Sequence, residues 1–208
     1  MNIKNTNKVL FIGNSLLLGM FNKYGMCASS PEKDYAYFVQ REIKKHNPDC
    51  IFTKLYASGF EHSESMEAFE DWFKQAEDSF SKDLGLIFIQ LGDNVNTDEK
   101  ILNFNKTADI FLERIKKMCP YAKIAWIHAW FNKRNTIDKL TELCARQQIE
   151  MIDISDIRTE ENEARSGQIC ENEYGEKAVV KDAWITHPGD GGMKKIADRI
   201  IESLEYEG

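Results

Sequence analysis

Three residue types that can move an acyl group stand at the ends of apolar runs. Ser15 follows Ile12-Gly13-Asn14, Asn94 follows Gly92-Asp93, and His187 stands between Thr186 and Pro188. An alcohol becomes a nucleophile when a base takes its proton, and acyl transfer needs donors aimed at the oxyanion that forms. Ser15 supplies the alcohol and His187 the imidazole. The backbone N–H groups of Ser15 and Gly59 and the side-chain amide of Asn94 supply three donors. Gly59 carries no side chain to keep a ligand from its N–H. An acid usually orients the imidazole and stabilises its charged form. Asp182, five residues before His187, is one candidate orienter. A main-chain carbonyl on Nδ1–H is the alternative, and it fixes the tautomer while contributing less charge stabilisation. His128, Trp130 and Trp184 lie where they can touch a substrate, whereas Trp126 reads as core.

Each residue alone has a plainer reading. Ser15 and Asn94 fit turn or cap positions, Gly59 fits a strand breaker, and His187-Pro188 fits a loop ahead of a final helix. What favours a site is their placement relative to the elements around them. Val9 to Ile12 is a buried first strand that breaks at Gly13, where a tight or left-handed turn is expected. Cys50 to Tyr56, Leu84 to Leu91, Ala122 to His128 and Glu150 to Ile154 read as further strands, the third apolar enough to be covered on both faces. Helical spacing runs over Asp34 to His46, His62 to Phe80, Thr97 to Met118, Asn135 to Gln147 and Gly192 to Tyr206. Ser63 or Ser65 is placed to cap the second of these. Asp93 and Asp190 read as turn or helix caps.

Alternating strands and helices imply a parallel sheet with helices on both faces, joined by right-handed crossovers. The chain is read as one domain, an α/β fold with a central sheet of about five strands between two helical layers. The polar stretch at about 156–181 is a long connection for such a domain and reads as a functional excursion. All strand carboxyl ends then share one edge, and Ser15, Gly59, Gly92 to Asn94 and His128 converge there.

Four blocks in order resemble the SGNH (GDSL-type) hydrolases, a family named for Ser, Gly, Asn and His. IGNS at 12–15 is similar to the first block, with Asn14 where aspartate is commoner. YASG at 56–59 resembles the second, QLGDNVN at 90–96 the third, and ITHPGDGGMKKIADRI at 185–200 the last. The resemblance implies a three-layer α/β/α sandwich of flavodoxin-like type and a Ser15–His187 serine esterase with Ser15, Gly59 and Asn94 at the oxyanion. The chain departs from the family at the acid, which usually stands three residues before the histidine. That position is Trp184 here. The preferred substrate is a small acyl ester, such as an acetyl ester of a carbohydrate or similar alcohol. A thioesterase or lysophospholipase-type enzyme, its acyl channel lined by Leu16, Leu17, Leu18, Met20 and Phe21, is one alternative. A catalytically silent carbohydrate-binding protein of the same fold is another, and transfer of the acyl group to a second alcohol is also open.

Other chemistries find little support. Leu17 breaks the Gly-x-Ser-x-Gly pattern of α/β-hydrolases, and residues 13–20 hold no phosphate-loop lysine. The net charge of −7 argues against a nucleic-acid surface. No apolar run approaches the ~20 residues of a membrane span, and acidic residues in the 156–177 stretch disfavour an anionic membrane. Five scattered cysteines without a Cys-x-x-Cys pair suggest reduced thiols, with no zinc spacing. No cofactor or metal is expected. No signal peptide is visible, so the expected compartment is cytoplasmic.

Overall fold

The computed structural model describes residues 1, 3, 6–19, 23–131 and 136–205, with nothing said of the side chains at 136 and 137. Five parallel strands form the central sheet: β1 (Lys8–Gly13), β2 (Ile51–Tyr56), β3 (Leu86–Gln90), β4 (Lys123–Ile127) and β5 (Glu150–Ile152). Their order is β2-β1-β3-β4-β5, the flavodoxin-like winding, which reverses direction at β1. In register, Gly13 lies beside Tyr56 on one neighbour and Gln90 on the other. The loops after β1, β2 and β3 therefore leave the sheet side by side.

The sheet holds because β1, β3 and β4 send alternate side chains into two separate cores. Val9, Phe11, Leu86, Phe88, Ala125 and Ile127 face a core shared with α1 (Tyr35–His46) and α6 (Asp190–Glu202). Leu10, Ile12, Ile87, Ile89, Ile124 and Trp126 face the other, built with α3 (Met66–Ala76), α4 (Asp98–Met118) and α5 (Thr136–Gln147). Residues two apart point the same way along a strand, so each strand serves both layers. Trp126 is a core residue whose Nε1–H donates to the Leu91 carbonyl at 3.0 Å.

Several element ends differ from the sequence reading, each for a local reason. The second helical stretch is divided. A short α2 (Ser58–Glu61) follows β2 at once, and α3 starts at Met66, where the Ser65 hydroxyl accepts from the Ala68 N–H. Ser65 is thus the cap, while the Ser63 hydroxyl donates to the Phe60 carbonyl. The last helix begins at Asp190, two residues early, and its carboxylate accepts from both the N–H and the hydroxyl of Ser29. Within the polar stretch lies an antiparallel hairpin, β6 (Ile169–Glu171) with β7 (Lys177–Val179). Strands of three residues are too short to display a period. All five cysteines are buried free thiols. Among the described residues no helix is long and apolar enough to cross a membrane.

Candidate active site

Ser15 sits in the tight turn that ends β1. The turn is closed by the Asn14 carbonyl, which accepts from the N–H groups of Leu17 and Leu18, and by Asn14 Oδ1, which accepts from the Leu16 N–H. Of the tight or left-handed turn expected at Gly13, the structure has the tight one, with φ outside the left-handed region. The need for glycine is space, since a Cβ at Gly13 would lie 2.7 Å from the Leu17 Cβ. The Ser15 hydroxyl lies 3.4 Å from Nε2 of His187. That is long for a hydrogen bond and within the looseness of unliganded catalytic pairs.

The other imidazole nitrogen settles the tautomer. Nδ1 of His187 is 3.0 Å from the Trp184 carbonyl oxygen. A carbonyl only accepts, so Nδ1 carries the proton and Nε2 presents its lone pair to Ser15. The structure does not bring Asp182 to the imidazole: it is exposed, and its Oδ1 accepts from the Ser166 hydroxyl at 2.7 Å, while Nδ1 of His187 faces the Trp184 carbonyl. The turn from 182 to 187 carries the Trp184 carbonyl to the ring and leaves the Asp182 carboxylate outside. The arrangement is the carbonyl-oriented alternative, and it relies on a main-chain group that sequence does not display.

Thr186, next to the histidine, has φ of +80°. A β-branched residue in the left-handed region is strained, and such strain persists only where surroundings impose it. Here they do. The Trp130 Nε1–H donates to the Thr186 carbonyl at 2.7 Å, and the Ala164 N–H donates to the His187 carbonyl at 2.8 Å. Glu163 and Pro188 form an antiparallel bridge, and the Phe131 ring meets the imidazole edge-on at 5.1 Å. Residues 163–164 of the excursion and Trp130 and Phe131 after β4 therefore hold the histidine turn in place.

The groups expected to serve as oxyanion donors follow β1, β2 and β3. Among the described residues the N–H groups of Ser15 and Gly59 have no protein acceptor. Gly59 is in the first turn of α2, where N–H groups lack intrahelical partners. Its missing Cβ makes room for Trp72, whose Cδ1 would lie 3.1 Å from it. The Asn94 amide follows Gly92, which has φ of +127°. Its Nδ2 donates to Oε2 of Glu61 at 2.8 Å.

Glu61 was not apparent from sequence, where it stands among polar residues at the head of a helical stretch. In the fold it is fully buried. Its Oε1 accepts from the Gly92 N–H (2.6 Å), the Asn14 Nδ2 (3.1 Å) and the Asn94 N–H (3.4 Å). Asp93 is equally enclosed rather than a turn cap. It accepts from Asn14 Nδ2 (3.0 Å), Gln90 Nε2 (2.5 Å) and the Phe131 N–H (2.7 Å). Loss of water, reinforced by the Asp93 charge, pushes the Glu61 carboxyl up to about 7. Asn14 donates to both carboxylates, a bridge that an aspartate at this position would turn into a third negative charge.

The residues expected to touch substrate are placed as follows. His128 is buried, with its Nδ1 3.1 Å from the Ala129 carbonyl oxygen, and burial lowers its pKa. It lines a cavity of about 500 Å³ with Trp130, Asp153, Ser155 and Arg158, whose lining includes neither Ser15 nor His187. Trp130 is a buried strut behind the histidine turn. Trp184 contributes its carbonyl to His187, while its ring lies under the Lys181 ammonium and borders a groove with Ser166 and Val180. Leu16 and Leu17 belong to the core, and only Leu18 is partly exposed. Met20 and Phe21 lie outside the described residues.

Solved structures share this architecture across nearly the whole chain. A protein assigned as a GDSL-like lipase in Bacteroides uniformis superposes with a TM-score of 0.61 at 17% identity, over 95% of each chain. An extracellular lipase of Streptomyces rimosus gives 0.59 at 12% identity, over 95% of this chain and 99% of that one. The chain has the SGNH (GDSL-type) hydrolase fold. A variant of an acetyl-xylooligosaccharide esterase from Geobacillus has the same fold, with a TM-score of 0.57 at 11% identity over 97% and 96% of the two chains. No family model matches the sequence, and no curated protein does. At these identities, likeness speaks for the SGNH fold, and chemistry must be argued from the site.

Proposed function

We propose that the protein is a metal-independent serine esterase acting on small acyl esters, with acetyl esters of a carbohydrate or similar polar alcohol preferred. The observation that carries this reading is the Ser15–His187 pair, its tautomer set by the Trp184 carbonyl, at the sheet edge where the Ser15 and Gly59 N–H groups have no acceptor among the described residues. Ser15 Oγ attacks the ester carbonyl carbon as His187 Nε2 takes its proton. The N–H groups of Ser15 and Gly59 and the Asn94 amide hold the oxyanion. The imidazolium gives its proton to the departing alcohol, leaving an acyl group on Ser15. Water, deprotonated by the same Nε2, then attacks the acyl carbon, and the acid leaves as Ser15 recovers its proton.

Two neighbours by fold are an acetyl-xylooligosaccharide esterase and a lipase. The burial of Leu16 and Leu17 supports the short-chain reading, because both are spent on the core rather than on an acyl channel. A fluorophosphonate probe is expected to label the wild type and not Ser15→Ala, and that substitution is expected to lower kcat by about 10⁴-fold or more. On a series of model esters the rate is expected to peak at two to four carbons. A peak at eight or more would favour the long-chain alternative. Absence of labelling would favour a silent binding protein and overturn the proposal.

A further inference from the structure

The three loops that supply the oxyanion donors come from different strands, and one buried side chain joins them. Glu61 belongs to α2, the element that also carries Gly59. Its carboxylate accepts from Asn14, one residue before Ser15, and from Gly92 and Asn94 in the loop after β3. From this geometry we infer that Glu61 is a positioning residue for the esterase site, holding the Asn94 amide in the orientation that gives its second Nδ2 proton to the oxyanion. The inference rests on the proposed Ser15–His187 chemistry and adds a residue to it.

The division of labour between the two carboxylate oxygens makes the role specific. Oε1 faces three donors, while Oε2 faces Asn94 Nδ2. An amide has one proton free when the other is bound, and the bound one fixes the plane of the group. Only an acceptor at Oε2 does this. An NH2 there, which offers no lone pair, would confront Nδ2 with a donor, and the Asn94 amide would turn away. The pairing of Glu61 with Asp93 through Asn14 is a costly arrangement for a purely structural contact. Two carboxylates share one amide, and all their protein hydrogen-bond donors among the described residues are neutral groups. Asp93 extends the link to the base side, since it accepts from the Phe131 N–H and that ring packs against His187.

The test is a double-mutant cycle on Glu61→Gln and Asn94→Ala, with a short-chain model ester. In Glu61→Gln the amide oxygen is drawn to the three donors at Oε1, so its NH2 falls opposite Asn94. The variant is expected to lose about 10²-fold in kcat with KM changed less than about threefold, as for loss of an oxyanion donor. Asn94→Ala is expected to lose a similar factor, and the double variant no more than Asn94→Ala alone. Multiplying losses, or a Glu61→Gln kcat within about twofold of wild type, would overturn the positioning role. An inactive, unlabelled wild type would instead overturn the esterase reading beneath it. A measurement on the wild type covers the case in which Glu61→Gln fails to fold. One Asn94 Nδ2 proton, assigned by its loss in Asn94→Ala, should exchange with water more slowly than exposed side-chain amides. Fast exchange of both protons would also overturn the inference.

Discussion

The two halves of the candidate site are held by different means. On the oxyanion side, the Ser15 turn, α2 and the loop after β3 leave adjacent strands and are tied by the buried carboxylates of Glu61 and Asp93. On the base side, His187 rides on an irregular turn, half-buried, held by main-chain groups of the 162–164 segment and by Trp130. One half is fixed by side chains in a low-dielectric interior, where each unsatisfied group is expensive. The other is fixed by backbone contacts to a loop and stores strain at Thr186. Acyl transfer asks different things of them. In the proposed reaction the oxyanion donors must not relax as charge develops, whereas the imidazole must pass a proton first from Ser15 and then to the leaving group.

The contrast can be broken first at Trp130. Trp130→Phe removes the donor to the Thr186 carbonyl and leaves that group unpaired beside a strained residue. Expected are a loss of about 1–3 kcal/mol in stability, read by urea unfolding, and a fall of about tenfold in kcat as the imidazole drifts from Ser15. An unchanged kcat would mean that the segment 162–164 alone positions the base.

A second test addresses the buried carboxyls and reads stability. Folded Glu61 keeps its proton up to about 7, against 4.5 for an ordinary glutamate. Between those values the folded state binds more protons than the unfolded one, so this contribution to stability is full below the lower value and is lost as pH rises through the upper one. Urea unfolding between about pH 5 and pH 8 is expected to show that decline in the wild type and a flatter profile in Glu61→Gln. Parallel profiles would place the ionisation elsewhere.

The smallest effect is expected at Asp182. In a triad, replacing the acid by its amide costs about 10⁴-fold. Because Asp182 contacts Ser166 and not His187, Asp182→Asn should keep kcat within about twofold of wild type across the pH range. A large loss would return the residue to the site.

Much of the fold was legible in the apolar runs. Val9 to Ile12 and Leu84 to Leu91 read as covered strands and are, the blocks at 12–15, 56–59 and 90–96 fall at the sheet edge, and His187-Pro188 of the last block stands just before the final helix. The hairpin at 169–179 escaped because each of its strands is three residues long. Glu61 escaped because a glutamate between Phe60 and His62 carries the same signal whether it faces water or the core. His128, Trp130 and Trp184 were expected at the substrate because they stand near strand ends and the histidine turn. Which way a side chain points from such a position depends on what packs against it.

The sequence alone determined the layered α/β architecture and brought Ser15, Gly59 and Asn94 to one edge, since alternating apolar periods dictate strand direction and the winding does the rest. Only the tertiary structure decided how those groups are held. A carboxylate buried among donors from three loops, and an imidazole oriented by a peptide carbonyl, have no local signature. Both arise from groups far apart in the chain whose hydrogen bonds must be satisfied once water is excluded.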